Sequence, residues 1–319
     1  MTPPRQILPG QLRFITVRAV NRCHRFAPSR QALEIIRYCF AYTLGEFRGR
    51  IEAHEFLWMS NHYHLVLTDR AACLPDFMMR LNSLLARALN ALHGLTGTSI
   101  EKGYNAVEIT TEGKTIDHCV YTLANPCTAS LVERSQQWKG VSSCALEYGI
   151  ATAVRRPDHG LWGGRCRHRS RDASQRSKRA QRGGRSKLPE TVELVLTRPA
   201  VMLHLTDDEL RAHIRERLEQ RERKLIDERR KSKASVLGWK AATRVTPRSA
   251  PKRTEDLFAT VPSFSAGGRE AWSAAWKRRR DFLRDYYAAL RRFLSGETVA
   301  LFPAGTWLMK VRFGAACSP

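Results

Sequence analysis

The chain has 319 residues, 43% of them apolar, and a formal net charge of +24. That apolar share excludes a wholly disordered chain, and so large a positive charge points to a polyanionic partner, nucleic acid being the usual one. No run of eighteen apolar residues occurs, and residues 1–10, with three prolines and no apolar stretch, do not read as a signal peptide; no membrane span is expected and the expected compartment is the cytoplasm.

Residues 12–20, LRFITVRAV, are β-branched and free of breakers, which predicts a strand. Ser29 is placed to cap a helix running to about residue 45, with Leu33, Ile36, Phe40 and Leu44 at helical spacing. Strands at 51–59 and 62–68 flank the short turn Ser60-Asn61 and form a hairpin. A helix from Pro75 to about residue 93 carries Phe77, Leu81, Leu84, Leu85, Ala88 and Leu92 on one face. After a glycine-containing loop at 94–103 come a short strand at 104–109 and a helix at 115–125, which Pro126 is expected to end. The order β-α-β-β-α-β followed by a helix is the ferredoxin-like split βαβ arrangement, an α+β fold with an antiparallel sheet.

Charge divides the chain. Residues 1–150 hold 16 Lys and Arg against 12 Asp and Glu, whereas residues 151–319 hold 38 against 18. Three parts are therefore expected: a globular domain at 1–150, a basic linker at 151–190, and a mostly helical, basic C-terminal extension at 191–319. Within the linker, residues 165–187 carry ten Lys and Arg and one Asp. A solvated spacer accounts for that composition, yet such a spacer still holds a phosphate backbone, with Lys178, Arg179, Arg182 and Arg185 among its cations.

Further on, Thr206-Asp207-Asp208-Glu209 is a capping box that opens a long charged helix to about residue 231. Residues 246–263 are proline-rich and read as a loop. A helix at 270–294 carries Trp272, Trp276, Phe282, Tyr286 and Phe293; these rings suit base stacking, but packing into a core is the simpler expectation. Residues 299–313 read as two strands joined at Pro303-Ala304-Gly305, a closing β-hairpin. Eight scattered cysteines with no C-x-x-C pair read as reduced, mostly buried thiols, neither disulfides nor a zinc site.

Two local patterns carry chemistry. Asn61-His62-Tyr63-His64 lies on a strand, where residues i and i+2 share a face, so His62 and His64 present two imidazoles side by side, suited to one divalent metal. An H-x-H on a strand also arises by chance. In Tyr121-Thr122-Leu123-Ala124-Asn125-Pro126, on a helix, Tyr121 and Asn125 are i,i+4 neighbours, and a phenol beside a carboxamide makes a nucleophile with a possible third ligand. The plain alternative is a tyrosine packed on a helix face with an asparagine C-cap before proline. His54 and His118 sit near these motifs, His54 on a strand face with no ligand role expected; Tyr104 and Tyr63 are alternative nucleophiles by residue type.

Taken together, the motifs resemble a known family. Met59-Ser60-Asn61-His62-Tyr63-His64 is similar to the M-x-N-H-hydrophobic-H signature of single-tyrosine HUH transposases. Tyr121-x-x-x-Asn125-Pro126, followed by Ala129 and Leu131-Val132, resembles the corresponding stretch of REP-associated tyrosine transposases. Trp138 followed by Ser142-Ser143, and Asn90, His93, Gly94 and Gly97, match two further segments. The match covers roughly residues 8–150. It departs at Ser99-Ile100-Glu101-Lys102-Gly103, where the family often has an aromatic and an arginine, and at Thr122, where isoleucine is usual.

The resemblance implies a metal-dependent enzyme that cuts and rejoins single-stranded or hairpin-bearing DNA at repeat ends. His62 and His64, with Asn125 as third ligand, would hold Mg²⁺ or Mn²⁺. Tyr121 would attack phosphorus, keep the 5′ phosphate covalently and release a 3′ hydroxyl. A free phenol titrates near 10, so it needs help to attack at neutral pH. Rival readings are a domesticated, non-catalytic nucleic-acid-binding protein, a relaxase or replication initiator, and a simple metal-dependent hydrolase; the chain lacks the Walker-type run of a helicase partner.

Overall fold

The computed structural model describes residues 3–159, 161–162, 188–251, 262–297 and 299–318. The basic run with Lys178, Arg179, Arg182 and Arg185 lies outside the described residues.

The first half forms β1 (Gln11–Arg18), α1 (Arg30–Glu46), β2 (Ile51–Trp58), β3 (His62–Asp69), α2 (Leu74–His93), β4 (Asn105–Ile109) and α3 (Glu112–Thr128). The sheet order is β2-β3-β1-β4, each neighbour antiparallel, as the split βαβ arrangement requires. A short strand β7 (Phe264–Ser265) adds to the β4 edge in parallel, the one departure from an antiparallel sheet.

Alternation along β3 sorts its side chains between two layers. Tyr63, Leu65 and Leu67 are buried on one side, where Tyr63 stacks on Trp58 and donates to Asn82 Oδ1 of α2. Each such side chain contributes about 1.5–3 kcal/mol on burial. His62 and His64 point to the other side, toward α3. Ser29 caps α1 by accepting from the Ala32 amide at 3.2 Å, and Gly94, at φ 61°, ends α2 in the left-handed conformation that glycine adopts without penalty.

Helix α3 is longer than the sequence reading placed it. Pro126 sits inside it, because the turn beyond closes through the Ala129 amide on Asn125 O and the Ser130 amide on Cys127 O. One lost hydrogen bond at proline is tolerated when the flanking turns are packed.

The C-terminal half is built onto this core. A hairpin of β5 (Thr152–Arg155) and β6 (Thr191–Leu194) pairs the chain on either side of the basic run. It rests on α1, where Tyr38 donates to Pro189 O at 2.6 Å. Helix α4 (Asp207–Lys231), opened by the Thr206–Glu209 capping box, packs Leu210, Ile214 and Leu218 into the same core as Ile116, Val120 and Leu123 of α3. Its Arg211 is buried and donates to the fully buried Glu55 at 2.8 Å; Ser143 and Tyr148 donate to the same carboxylate. Burial would lower the Arg211 pKa, but Glu55, Tyr148 and Glu147 outweigh it and hold the guanidinium charged.

A short helix α5 (Trp239–Thr243) precedes α6 (Arg269–Leu294), whose Phe282, Tyr286 and Ala289 form a satellite cluster with Phe302 and Met309. The closing β-hairpin expected at 299–313 is absent: helix α7 (Trp307–Phe313) stands there, preceded by Thr306 and ended by Gly314 at φ 63°. The apolar, β-branched composition suggested strands, while the terminal glycine was the better signal. Among the described residues the cysteines are free thiols, and no helix is long and apolar enough to cross a membrane.

Candidate active site

Strand register builds the site. In the antiparallel β1–β3 pair, Thr16 lies opposite His64 and Arg18 opposite His62. Residues directly opposite share a face, so Phe14, Thr16, His62 and His64 form one patch under α3. The two imidazoles lie 4.9 Å apart between ring centroids, at 76° to one another.

His64 is the hub. Its ring is buried and stacks on Phe14 at 5.0 Å; Tyr121 meets it at 5.6 Å and 70°. Asn125 Nδ2 stands 3.2 Å from His64 Nε2, and Thr16 Oγ1 stands 3.0 Å from Nδ1. An amide nitrogen only donates, so Nε2 accepts and the ring proton resides on Nδ1, from which it is donated to Thr16. Burial pushes the His64 pKa well below its usual value, and His62 and Arg18 push it further. The ring is therefore neutral at physiological pH, the form that ligates metal. Asn61 Oδ1 lies 2.8 Å from His62 Nδ1, where it can only accept a ring proton.

Helix α3 supplies the rest. Tyr121 and Asn125 fall on one face, one turn apart, as their spacing predicts. The asparagine C-cap does not describe Asn125. Tyr121 is 46% exposed, its ring held edge-on to Phe14 at 5.6 Å, and Asn125 is buried against His64 while Ala129 occupies the C-cap. His118, a turn earlier, stacks on the other side of Phe14 at 4.7 Å; burial lowers its pKa to about 4.

The other candidates lie elsewhere. His54 is fully buried, with Thr197 O at 2.6 Å from Nδ1 and Thr68 Oγ1 at 2.7 Å from Nε2, so both ring nitrogens are occupied. Tyr63 is buried in the opposite layer. Tyr104 precedes β4 and lies under Arg5, 4.4 Å from its ring. Trp138 donates to Trp58 O at 2.9 Å, and Ser143 bonds both ways with Phe56, so this segment straps the β2 edge. A side chain at Gly140 would collide with Trp138 and Trp58 O, hence the glycine. Asn90 holds the 94–103 loop, donating to Gly97 O at 2.9 Å and accepting from Ser99. Sequence reasoning missed Phe14 and Thr16, whose place beside His64 depends on strand register; the polar Thr16 within an apolar strand was the only available hint.

The donor set suits a divalent cation. Among the described residues no three His, Cys, Asp or Glu side chains converge; the carboxamide of Asn125 lies against His64, with its Nδ2 toward the ring. The buried His64 ring and the Asn125 carboxamide are neutral, so a cation held there would need an anion such as phosphate to meet its charge.

Comparison with solved structures finds a REP-associated tyrosine transposase bound to a REP hairpin, 16% identical over 45% of this chain and 82% of that one, at a TM-score of 0.39. It also finds the tRNA(His) guanylyltransferase from Saccharomyces cerevisiae, 11% identical over 41% of this chain and 65% of that one, at 0.32. No family model and no curated protein matches the chain. Neither structural likeness bears on the chemistry, which rests on the side chains above.

Proposed function

We propose that this chain cleaves and rejoins single-stranded DNA through a covalent tyrosyl phosphate, with Tyr121 as nucleophile. The observation that carries the reading is the convergence on His64 of three groups from two separate elements: His62 beside it on β3, and Tyr121 and Asn125 on α3.

Each residue has a role set by its position. Tyr121 is the exposed member, so a strand can reach its hydroxyl. Its Oη forms a bond to phosphorus as the phenol loses its proton. The P–O3′ bond breaks, the leaving oxygen takes up a proton and departs as a 3′ hydroxyl, and the 5′ phosphate stays on the tyrosine. Attack by another 3′ hydroxyl reverses the step and joins strands without a nucleotide cofactor. Phe14 fixes the Tyr121 and His64 rings relative to one another, and Thr16 fixes the His64 tautomer. His62, His64 and Asn125 would hold Mg²⁺ or Mn²⁺, which supplies charge stabilisation at the phosphate oxygens.

The charge of +24 fits a polyanionic substrate. A binding module would need neither an exposed phenol beside paired imidazoles nor a carboxamide buried against one of them. Incubation with end-labelled, hairpin-bearing single-stranded DNA and Mn²⁺ tests the reading: a labelled protein band that survives denaturation supports it, and cleavage without such a band identifies a hydrolase instead.

A further inference from the structure

Helix α6 carries a feature that the Tyr121 site does not use. Trp272 and Trp276, one turn apart, are 52% and 44% exposed, although packing into a core was the simpler expectation from sequence. Their rings lie 6.4 Å apart at 20°, and Arg280 stands 5.0 Å over Trp276. Of the other aromatic residues of the helix, Phe282 and Tyr286 are buried, Phe293 is half-buried and Tyr287 is 41% exposed. Two large indoles left in water on a charged helix lose the burial that would stabilise them.

A cleft of about 670 Å³ opens beside them, between the N-terminal segment, β4 and α6. Phe264 lines it and touches Trp272, with ring centroids 6.1 Å apart. Four arginines line it as well: Arg5, Arg13, Arg278 and Arg279. Glu108 is the one carboxylate among the described lining residues, bound to Arg278 at 2.7 Å. Arg13 is 4% exposed and pushed down to about 10, by burial first and with Arg5 adding to the effect. Arg279 is lowered by burial and by the same Arg5. The cleft therefore holds several mutually repelling cations against one anion, which an incoming phosphate would relieve.

We propose that this cleft and the paired tryptophans form a second single-stranded DNA surface, in which Arg5 and Arg279 hold backbone phosphates, Arg13, donating to Gln6 O and Gln11 Oε1, adds its charge from beneath, and Trp272 and Trp276 stack bases. Cationic groove and adjacent aromatic platform are the two parts that sequence-tolerant strand binding needs. The choice of DNA over RNA rests on the proposed function; the surface itself does not depend on Tyr121. Its residues come from both ends of the chain, so the C-terminal half would hold the strand while Tyr121 cuts it.

The test uses the full chain in EDTA, with fluorescein-labelled (dT)20 followed by anisotropy. Trp272→Ala and Trp276→Ala are expected to weaken binding roughly tenfold each, and Trp→Phe at both sites to restore most of it, since each alanine removes one stacked base. An abasic strand of the same charge should bind wild type and Trp variants alike. Arg5→Gln with Arg279→Gln should reduce the salt slope by about 0.7 for each phosphate lost. All these side chains are at least partly exposed, so thermal melting should show native folds. Tryptophan variants that bind (dT)20 as wild type does, or a duplex bound with the same tryptophan dependence, would overturn the proposal. Failure of the covalent adduct with an intact tryptophan effect would instead overturn only the Tyr121 reading.

Discussion

Asn125 Nδ2 lies 3.2 Å from His64 Nε2, one turn along α3 from Tyr121. The contact joins a helix to a strand 61 residues away and places the amide where its oxygen, after a flip, would face a cation shared with both imidazoles. Mn²⁺ is therefore expected to raise the melting temperature of the wild-type chain by mass action. His62→Ala with His64→Ala should abolish both that rise and DNA cleavage, while Asn125→Asp, which adds a negative donor, should increase the rise. An equal Mn²⁺ effect in the double variant would remove the cation from this site.

The Glu55–Arg211 pair carries a second expectation. Both side chains are buried, and Arg211→Met would leave a carboxylate without its counter-charge. Breaking such a pair from one side costs about 3–5 kcal/mol, measured as a lower urea midpoint. Because α4 shares the core with α3, a chain ending near residue 160 loses Leu194, Leu210, Ile214 and Leu218. It is expected to fail to fold rather than merely to bind DNA more weakly. A stable, cutting fragment of that length would contradict the shared core.

Stability should depend on pH through buried neutral histidines. Burial lowers His54 and His118 to about 4, against an ordinary value of 6.5. Between those values the unfolded chain binds protons that the folded chain refuses, so stability rises with pH through this window. It is fully present above about 6.5 and is lost as pH falls, by at most about 1.4 kcal/mol per pH unit for each ring. Urea midpoints at pH 7.5 and pH 5 measure this; equal midpoints would mean the rings are not held neutral.

Much of the fold could be read in the sequence because local signals agreed with one another. Ser29, Thr206 and Gly94 cap helices where their residue types suggest, and the His62–His64 strand alternates as its period requires. What escaped depended on partners far along the chain. The four-residue strands Thr152–Arg155 and Thr191–Leu194 are too short to announce themselves and exist because they pair. Arg211 looked like one more charge on a polar helix, yet it is buried against a strand residue 156 positions earlier. Within the site, the spacing alone brought Tyr121 and Asn125 together, but the register that sets Thr16 and Phe14 against His64 had no local sign.

The assignment of Tyr121 rests on one oxygen, and the direct measurement is adduct formation by Tyr121→Phe beside the wild type. The change removes the hydroxyl and keeps the ring that leans on Phe14 and His64, so stability and DNA binding should hold. With 5′-labelled and 3′-labelled hairpin-bearing strands in Mn²⁺, the wild type should yield a denaturation-resistant DNA–protein band carrying the strand 3′ of the cut. Peptide mapping should place the phosphate on Tyr121, and the variant should yield no band, no cleavage and no joined product. An adduct that persists in Tyr121→Phe would assign the nucleophile to another residue and displace the active site from α3.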